Sequence, residues 1–167
     1  MRRLAGAALV LFLITGGTAW AADRATIDAM IQSAASELEI PASLIHRIVK
    51  RESNYRPEAR NGPYYGLMQI LPQTARQMGY KGSPSGLLDP QTNLRYAGRY
   101  LKGAWIAAGG KQDLAVSYYA KGYYYVAKRK GLLEETGLGV DRKSRYPKNN
   151  KQNVKQPEMA LTAGAVY

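Results

Sequence analysis

The sequence predicts an all-α, mainly helical fold in a single domain. Three observations carry that expectation. Apolar residues recur at three- and four-residue spacings through most of the chain. Proline and glycine punctuate those stretches at intervals that suit short helices. No run alternates apolar and polar residues convincingly enough for a strand, and no internal repeat is visible. At 167 residues there is room for one domain with a proper core, and not comfortably for two. No cysteine is present, so packing alone must hold the fold.

Residues 1–21 stand apart from that core. Arg2 and Arg3 precede an apolar run from Leu4 to Ile14, and Ala19-Trp20-Ala21 supplies a small-x-small cleavage site. This pattern is that of a secretory signal peptide. Its apolar run is too short to be an obvious membrane span, so no stable span is expected after cleavage. The alternative is a retained N-terminal anchor. An exported, periplasmic protein is the expectation.

In residues 22–137, Thr26 is placed to cap a first helix, with Ile27, Met30, Ile31, Ala34 and Leu38 as its apolar stripe. Pro41 suits the opening turn of a second helix. Pro57 is expected to end it, because the residue before a proline avoids helical angles. Residues 60–66 read as a loop. Pro72 suits the start of a short helix that Gly79 can close, and residues 81–86 read as a surface turn. Asp89-Pro90 is a strong helix start, followed by a buried face of Leu94, Ala97, Leu101, Ala104, Trp105 and Ala108. Gly109-Gly110 stops that helix. Asp113 is placed to cap the next one, which carries Val116, Tyr119 and Ala120, and a last helical stretch is expected from Tyr123 to about Leu133. After Gly137 the pattern dissolves. Residues 141–158 hold six basic side chains and little that is apolar, so 138–167 read as a basic, flexible C-terminal tail.

The formal charge is +12, and loss of Arg2 and Arg3 with the leader lowers it by two, to +10. Such a charge attracts an anionic partner. The basic residues are spread without a nucleic-acid motif, so nucleic acid is not the expected partner. For an exported protein, cell-wall polymer or a lipid surface fits better, and a merely solubilising surface is the bland alternative. His46 is the only histidine and there is no cysteine, so no metal cluster and no histidine–cysteine pair can be built around it. No histidine- or cysteine-built metal site is expected.

Glu52 is the residue of most interest. Leu44, Ile45, Ile48 and Val49 form an apolar stripe at helical spacing, and Glu52 falls four residues after Ile48 and three after Val49. A carboxyl group on that face is costly to ionise, which suits a proton donor working near neutral pH. The other reading is a helix-end glutamate turned out to solvent. A proline at 57 disfavours a tight intrahelical pair between Glu52 and Arg56.

Glu52 begins Glu-Ser-Asn-Tyr. Fourteen residues on comes Gly66-Leu67-Met68-Gln69-Ile70, then Leu71-Pro72-Gln73-Thr74-Ala75. Pro90 and Asn93 follow, then Gly98 with Tyr100-Leu101, and last Leu114-Ala115-Val116-Ser117-Tyr118-Tyr119-Ala120-Lys121-Gly122. This ordered set, over roughly residues 26–125, resembles the soluble lytic transglycosylase family, the goose-lysozyme-like branch of the lysozyme superfamily. The resemblance implies a lysozyme-like helical fold with a cleft, and peptidoglycan glycan strands as substrate. Cleavage would fall between N-acetylmuramic acid and N-acetylglucosamine and leave 1,6-anhydromuramic ends. Glu52 matches the family's catalytic glutamate.

Two-carboxylate glycosidases need a second acid. Glu58 reads better as a loop glutamate, and Asp89 and Asp113 as helix caps, which leaves Glu52 as the one acid and base. Substrate-binding roles are expected for Ser53, Gly66, Met68, Gln69 and Tyr119. Ser53 is placed to cap the helix end or to bond near Glu52. Gly66 lets backbone pass close to a sugar, or is an ordinary turn glycine. Met68 packs on a sugar or in the core. Gln69 offers a donor and an acceptor to sugar amides and, by the resemblance, points into the cleft. Tyr119 matches the family tyrosine whose hydroxyl reaches toward the catalytic carboxyl.

Two departures stand out. The family's Tyr-Asn-Ala-Gly is here Tyr119-Ala120-Lys121-Gly122, and the loop before Gly66 reads Asn61-Gly62-Pro63-Tyr64-Tyr65 rather than the common Ser-Pro-x-Gly-Ala form. A polar contact at 120 is absent. The chain also has thirteen tyrosines and one phenylalanine. Tyr64, Tyr65, Tyr118, Tyr119, Tyr123, Tyr124 and Tyr125 fall near the proposed cleft elements, where hydroxyl-bearing rings suit sugars; about half are expected to be packing residues. The alternatives are a muramidase of the same fold and a non-catalytic wall-binding or assembly protein. A secretion or flagellar apparatus is the partner class considered for the tail.

Overall fold

The structure, a computed structural model, describes residues 24–139. The expected leader, 1–21, and nearly all of the expected tail, 138–167, lie outside the described residues. Six α-helices carry the domain: α1 (Arg24–Leu38), α2 (Ala42–Ser53), α3 (Pro72–Gln77), α4 (Pro90–Ala107), α5 (Gln112–Lys121) and α6 (Tyr124–Arg129). A small antiparallel hairpin of β1 (Arg60–Asn61) and β2 (Tyr64–Tyr65) follows α2, and a 3-10 turn, Pro84–Leu88, precedes α4.

The long helix α4 is the hub, packed against α1, α3, α5 and the 3-10 turn. Asp89 starts it as read from the sequence: its carboxylate accepts from the Thr92 N–H at 2.7 Å, and Pro90 takes the first turn. Leu94, Ala97, Leu101, Ala104 and Ala108 bury one face. Gly98 sits on that face because α1 comes very close: a Cβ there would lie 2.6 Å from Leu38 Cδ1. Helix α2 contributes Leu44, Ile45, Ile48 and Val49, all fully buried. Each such side chain contributes on the order of 1.5–3 kcal/mol relative to exposure. Their burial fixes which way the end of α2, and with it Glu52, faces.

The ends of α2 differ in part from expectation. Pro41 opens it, as the N-cap. The helix stops at Ser53, before Pro57, because Asn54 (φ 50°) and Tyr55 (φ 64°) both turn left-handed. Asparagine tolerates that conformation, but for a bulky residue it costs roughly 1–3 kcal/mol and needs outside support. Tyr55 has that support. Its hydroxyl lies 3.2 Å from His46 Nδ1, and the Arg24 guanidinium stacks 3.4 Å over its ring.

Other expectations need correction. Thr26 lies inside α1 rather than capping it, since the described helix already runs from Arg24. Asp113 is not the cap of α5; Lys111 holds that position, and the exposed Asp113 accepts a bond from Arg47 at 2.8 Å. Residues 60–65 form the β-hairpin rather than an unstructured loop. On α5 the buried positions are Ala115 and Tyr119, whereas Ala120 is exposed.

Candidate active site

A four-residue turn, Gly66-Leu67-Met68-Gln69, lies beside the end of α2. Tyr65 and Ile70 close it by exchanging both backbone bonds at 3.1 Å, and the Gln69 N–H donates to the Gly66 carbonyl at 3.1 Å. Three side chains from three helices then fasten this turn. From α2, the Ser53 hydroxyl donates to the Leu67 carbonyl at 2.8 Å, with the Val49 carbonyl at 3.2 Å from the same oxygen. From α4, Asn93 Oδ1 accepts from the Met68 N–H at 2.9 Å while its Nδ2 donates to the Tyr65 and Leu87 carbonyls, both at 2.8 Å. From α5, the Tyr119 hydroxyl donates to the Met68 carbonyl at 2.8 Å. No buried side-chain nitrogen or oxygen among the described residues lacks a partner.

The six residues singled out from the sequence therefore gather around one turn, but most of them build it rather than face outward. Ser53 is buried and ties α2 to the turn. The side chain of Met68 is fully buried, which takes the core alternative of its two readings. Gly66 (φ +73°) is also buried, and what passes close to it is protein: a Cβ there would collide with Asn93 Nδ2 and the Leu87 carbonyl. Gln69, at φ +46°, spends both amide hydrogens on backbone, donating to Ala59 at 3.0 Å and Gly66 at 2.8 Å. Both partners are carbonyls, so the orientation of the amide is fixed. The expected donor-and-acceptor pair for a sugar is thereby reduced to the acceptor oxygen.

Glu52 is the member of this group that reaches solvent, with its side chain 24% exposed. The apolar surroundings expected from helical spacing are met only in part. Arg56, expected to stay clear, does so by donating to the Ser53 carbonyl at 3.2 Å. Arg51 takes its place: Nε and Nη2 both donate to Glu52 Oε1, at 2.9 and 2.6 Å.

The hydroxyl of Tyr119 does not donate to Glu52, as the resemblance led one to expect, because Met68 takes its proton. The glutamate is still felt there. Burial first, and the Glu52 charge second, push the Tyr119 hydroxyl well above the ordinary tyrosine range. Tyr100 packs edge-on against Tyr119, ring centroids 5.5 Å apart, and Tyr123 is buried beneath Tyr100 with its hydroxyl donating to the Tyr100 carbonyl at 2.8 Å. Burial raises both of these hydroxyls too. Of the other tyrosines expected near the site, Tyr65 and Tyr118 are half-buried, while Tyr64, Tyr124 and Tyr125 are exposed.

No second carboxylate is fastened into this arrangement. Glu58 is exposed, Asp89 caps α4 and Asp113 pairs with Arg47. Among the described residues no cluster of His, Cys, Asp or Glu could hold a metal ion. A cavity of about 280 Å³ between α1 and α4, walled by Met30, Ala34, Glu37 and Arg95 among others, is lined by none of the site residues. Sequence reading assigned no role to two residues that matter here. Asn93 was detectable as a polar side chain on the apolar face of α4. Arg51 carried no signal, because adjacent helical residues point apart.

The transglycosylase SLT domain family matches residues 29–137. The chain belongs to this family. A soluble lytic murein transglycosylase of Escherichia coli K12 is 34% identical over 92 residues, covering 50% of this chain and 14% of that protein. Among solved structures, the SLT domain here superposes on the crystal structure of the 70 kDa soluble lytic transglycosylase of Escherichia coli with a TM-score of 0.55 and 28% identity, over 65% of this chain and 18% of that one. A complex of the 70-kDa soluble lytic transglycosylase with bulgecin A matches with the same TM-score and identity, 0.55 and 28%. The fold is thus the mainly helical, lysozyme-like one expected. The chain spans only 14% of the length of the curated relatives it matches. No described helix is long and apolar enough to cross a membrane.

Proposed function

We propose that this SLT domain is an exported peptidoglycan lytic transglycosylase and that Glu52 is its single acid–base group. The observation that carries the reading is the placement of one partly exposed carboxyl beside a turn fastened by Ser53, Asn93 and Tyr119, with Glu58, Asp89 and Asp113 otherwise engaged or exposed. Family membership and the murein transglycosylase relatives support murein as the substrate; the bond cut would be the β-1,4 bond between N-acetylmuramic acid and N-acetylglucosamine.

With one carboxyl, the substrate must supply the nucleophile. Glu52 protonates the departing glycosidic oxygen as the bond to muramic C1 breaks, and the neighbouring N-acetyl group assists departure. The 6-hydroxyl oxygen then bonds to C1, and its proton passes to Glu52. No water is consumed, and the acid is restored for the next turn. Holding the hydroxyl beside C1 gives it the high effective concentration by which an internal nucleophile outruns bulk water. No metal or cofactor is required. Residues 1–21 would direct export to the periplasm, and the tail would meet wall polymer or a secretion or flagellar assembly.

Mass spectrometry of fragments released from purified sacculi tests this reading. Anhydromuramic ends are expected; only reducing ends would make the protein a muramidase. Glu52→Gln should lower release by at least about 100-fold, the lower range for a lost general acid. Unchanged lysis by that variant overturns the role of Glu52. Binding to sacculi without any release by the unaltered protein would leave the wall-binding alternative.

A further inference from the structure

Arg51 and Glu52 are consecutive on α2, and consecutive helical side chains do not face each other. The pair therefore exists only because the long Arg51 side chain bends round to the glutamate, while remaining 44% exposed. Its geometry is incomplete. A guanidinium offers five N–H donors in a fork that matches both oxygens of a carboxylate. Here two of those donors converge on a single oxygen, Oε1, at 2.9 and 2.6 Å. A carboxylate approaching freely from solvent can take the full two-oxygen fork, which the Arg51–Glu52 pair does not form.

We propose that Arg51 determines substrate specificity as an anion-recognising arm, exchanging Glu52 for a carboxylate carried by the glycan. This inference rests on the reading of Glu52 as the acid–base group. While two donors point at Oε1, that oxygen is engaged; a ligand carboxylate that takes over the fork frees it to carry and pass a proton. A neutral glycan offers Arg51 no other anion, so the pair persists and turnover is slow. The substrate class is therefore a glycan bearing a carboxylate close to the scissile bond. Muramic strands can present that chemistry in two ways: as the lactyl carboxylate when peptide is absent, and as peptide carboxylates when stems are attached.

The test is kcat/KM for four substrates with the purified protein, Arg51→Gln and Arg51→Lys, whose folding is checked by circular dichroism. The substrates are peptide-free strands and peptide-bearing strands, each with free or methyl-esterified carboxyls. The unaltered protein should lose about tenfold on esterification in the arm that carries the recognised group, the scale of one charge-assisted contact. Arg51→Gln should show a ratio near one in that arm, Arg51→Lys should keep part of the discrimination, and added salt should shrink it. The arm that responds names the source of the carboxylate. An Arg51→Gln ratio equal to that of the unaltered protein, or no ratio in either arm, overturns the proposal. If the unaltered protein releases nothing from any strand, the reading of Glu52 falls and this inference with it. Release that esterification does not alter sinks the inference alone.

Discussion

The Tyr119 hydroxyl and the Met68 carbonyl meet at 2.8 Å, joining α5 to the turn beside Glu52 through a tyrosine that is otherwise buried. A hydroxyl has one proton to give. Since Met68 takes it, Tyr119 is left with lone pairs only and has no proton to donate to an ionised Glu52. The family tyrosine thus acts here as a tether for the turn.

Tyr119→Phe keeps the ring and removes that tether, leaving the Met68 carbonyl without its donor. A loss of about 1–3 kcal/mol in urea unfolding is expected, the cost of an unpaired buried acceptor. The proposed cell-wall cleavage should fall about tenfold as the turn loosens, by the sensitivity of catalysis to small misplacements. Unchanged stability would show that the hydroxyl is not needed to hold the turn.

Stability should fall in alkali. The hydroxyls of Tyr100, Tyr119 and Tyr123 are all raised above their ordinary value in the folded state, with burial the leading cause. The unfolded chain releases those protons first, near pH 10 by the reference value for tyrosine. Their contribution is complete below about pH 10 and is lost as pH rises toward the folded values. Thermal melts from about pH 8 to about pH 12 check this against Tyr119→Phe, whose alkaline decline should be shallower.

Gly66→Ala should be far worse than Gly62→Ala. Both glycines have positive φ, +73° and +56°, but a Cβ at 62 meets nothing within 4 Å, whereas at 66 it collides with Asn93 and the Leu87 carbonyl. Backbone strain alone predicts about 1 kcal/mol for Gly62→Ala. Strain plus collision predicts about 3 kcal/mol or more for Gly66→Ala. Guanidinium denaturation of the two variants decides whether the collision is real.

Asn93→Leu conserves bulk and strips the Met68 N–H and the Leu87 carbonyl of a partner. A cost of about 3 kcal/mol or more is expected, since each orphaned group costs roughly 1–3 kcal/mol. Asn93→Asp keeps an acceptor for Met68 and should fall between the two. Equal stability of all three proteins would remove Asn93 from the account of the turn.

Much of this is legible in the chain, for identifiable reasons. The stripe Leu44-Ile45-Ile48-Val49 and the start at Asp89-Pro90 are local signals, and α2 and α4 carry them unchanged. What local reading misses is decided by distant partners. Tyr55 can hold a left-handed turn because Arg24 and His46 brace it, so α2 ends before Pro57. Asp113 does not cap because α5 starts one residue ahead of it, at Gln112, and from the first turn it instead meets Arg47, 66 positions earlier. Glu52 can be placed from its spacing, but a guanidinium folded across it from the adjacent position contradicts the usual divergence of helical neighbours and is visible only in three dimensions.

Ser53, Asn93 and Tyr119 moor one short turn to three different helices. Such a floor has little freedom to remodel itself around a guest. A sugar strand would meet a mould already set, and would give up its own flexibility rather than the protein's. Shape would then act at the start of the encounter, and the proposed arm at Arg51 would add a discrimination by charge.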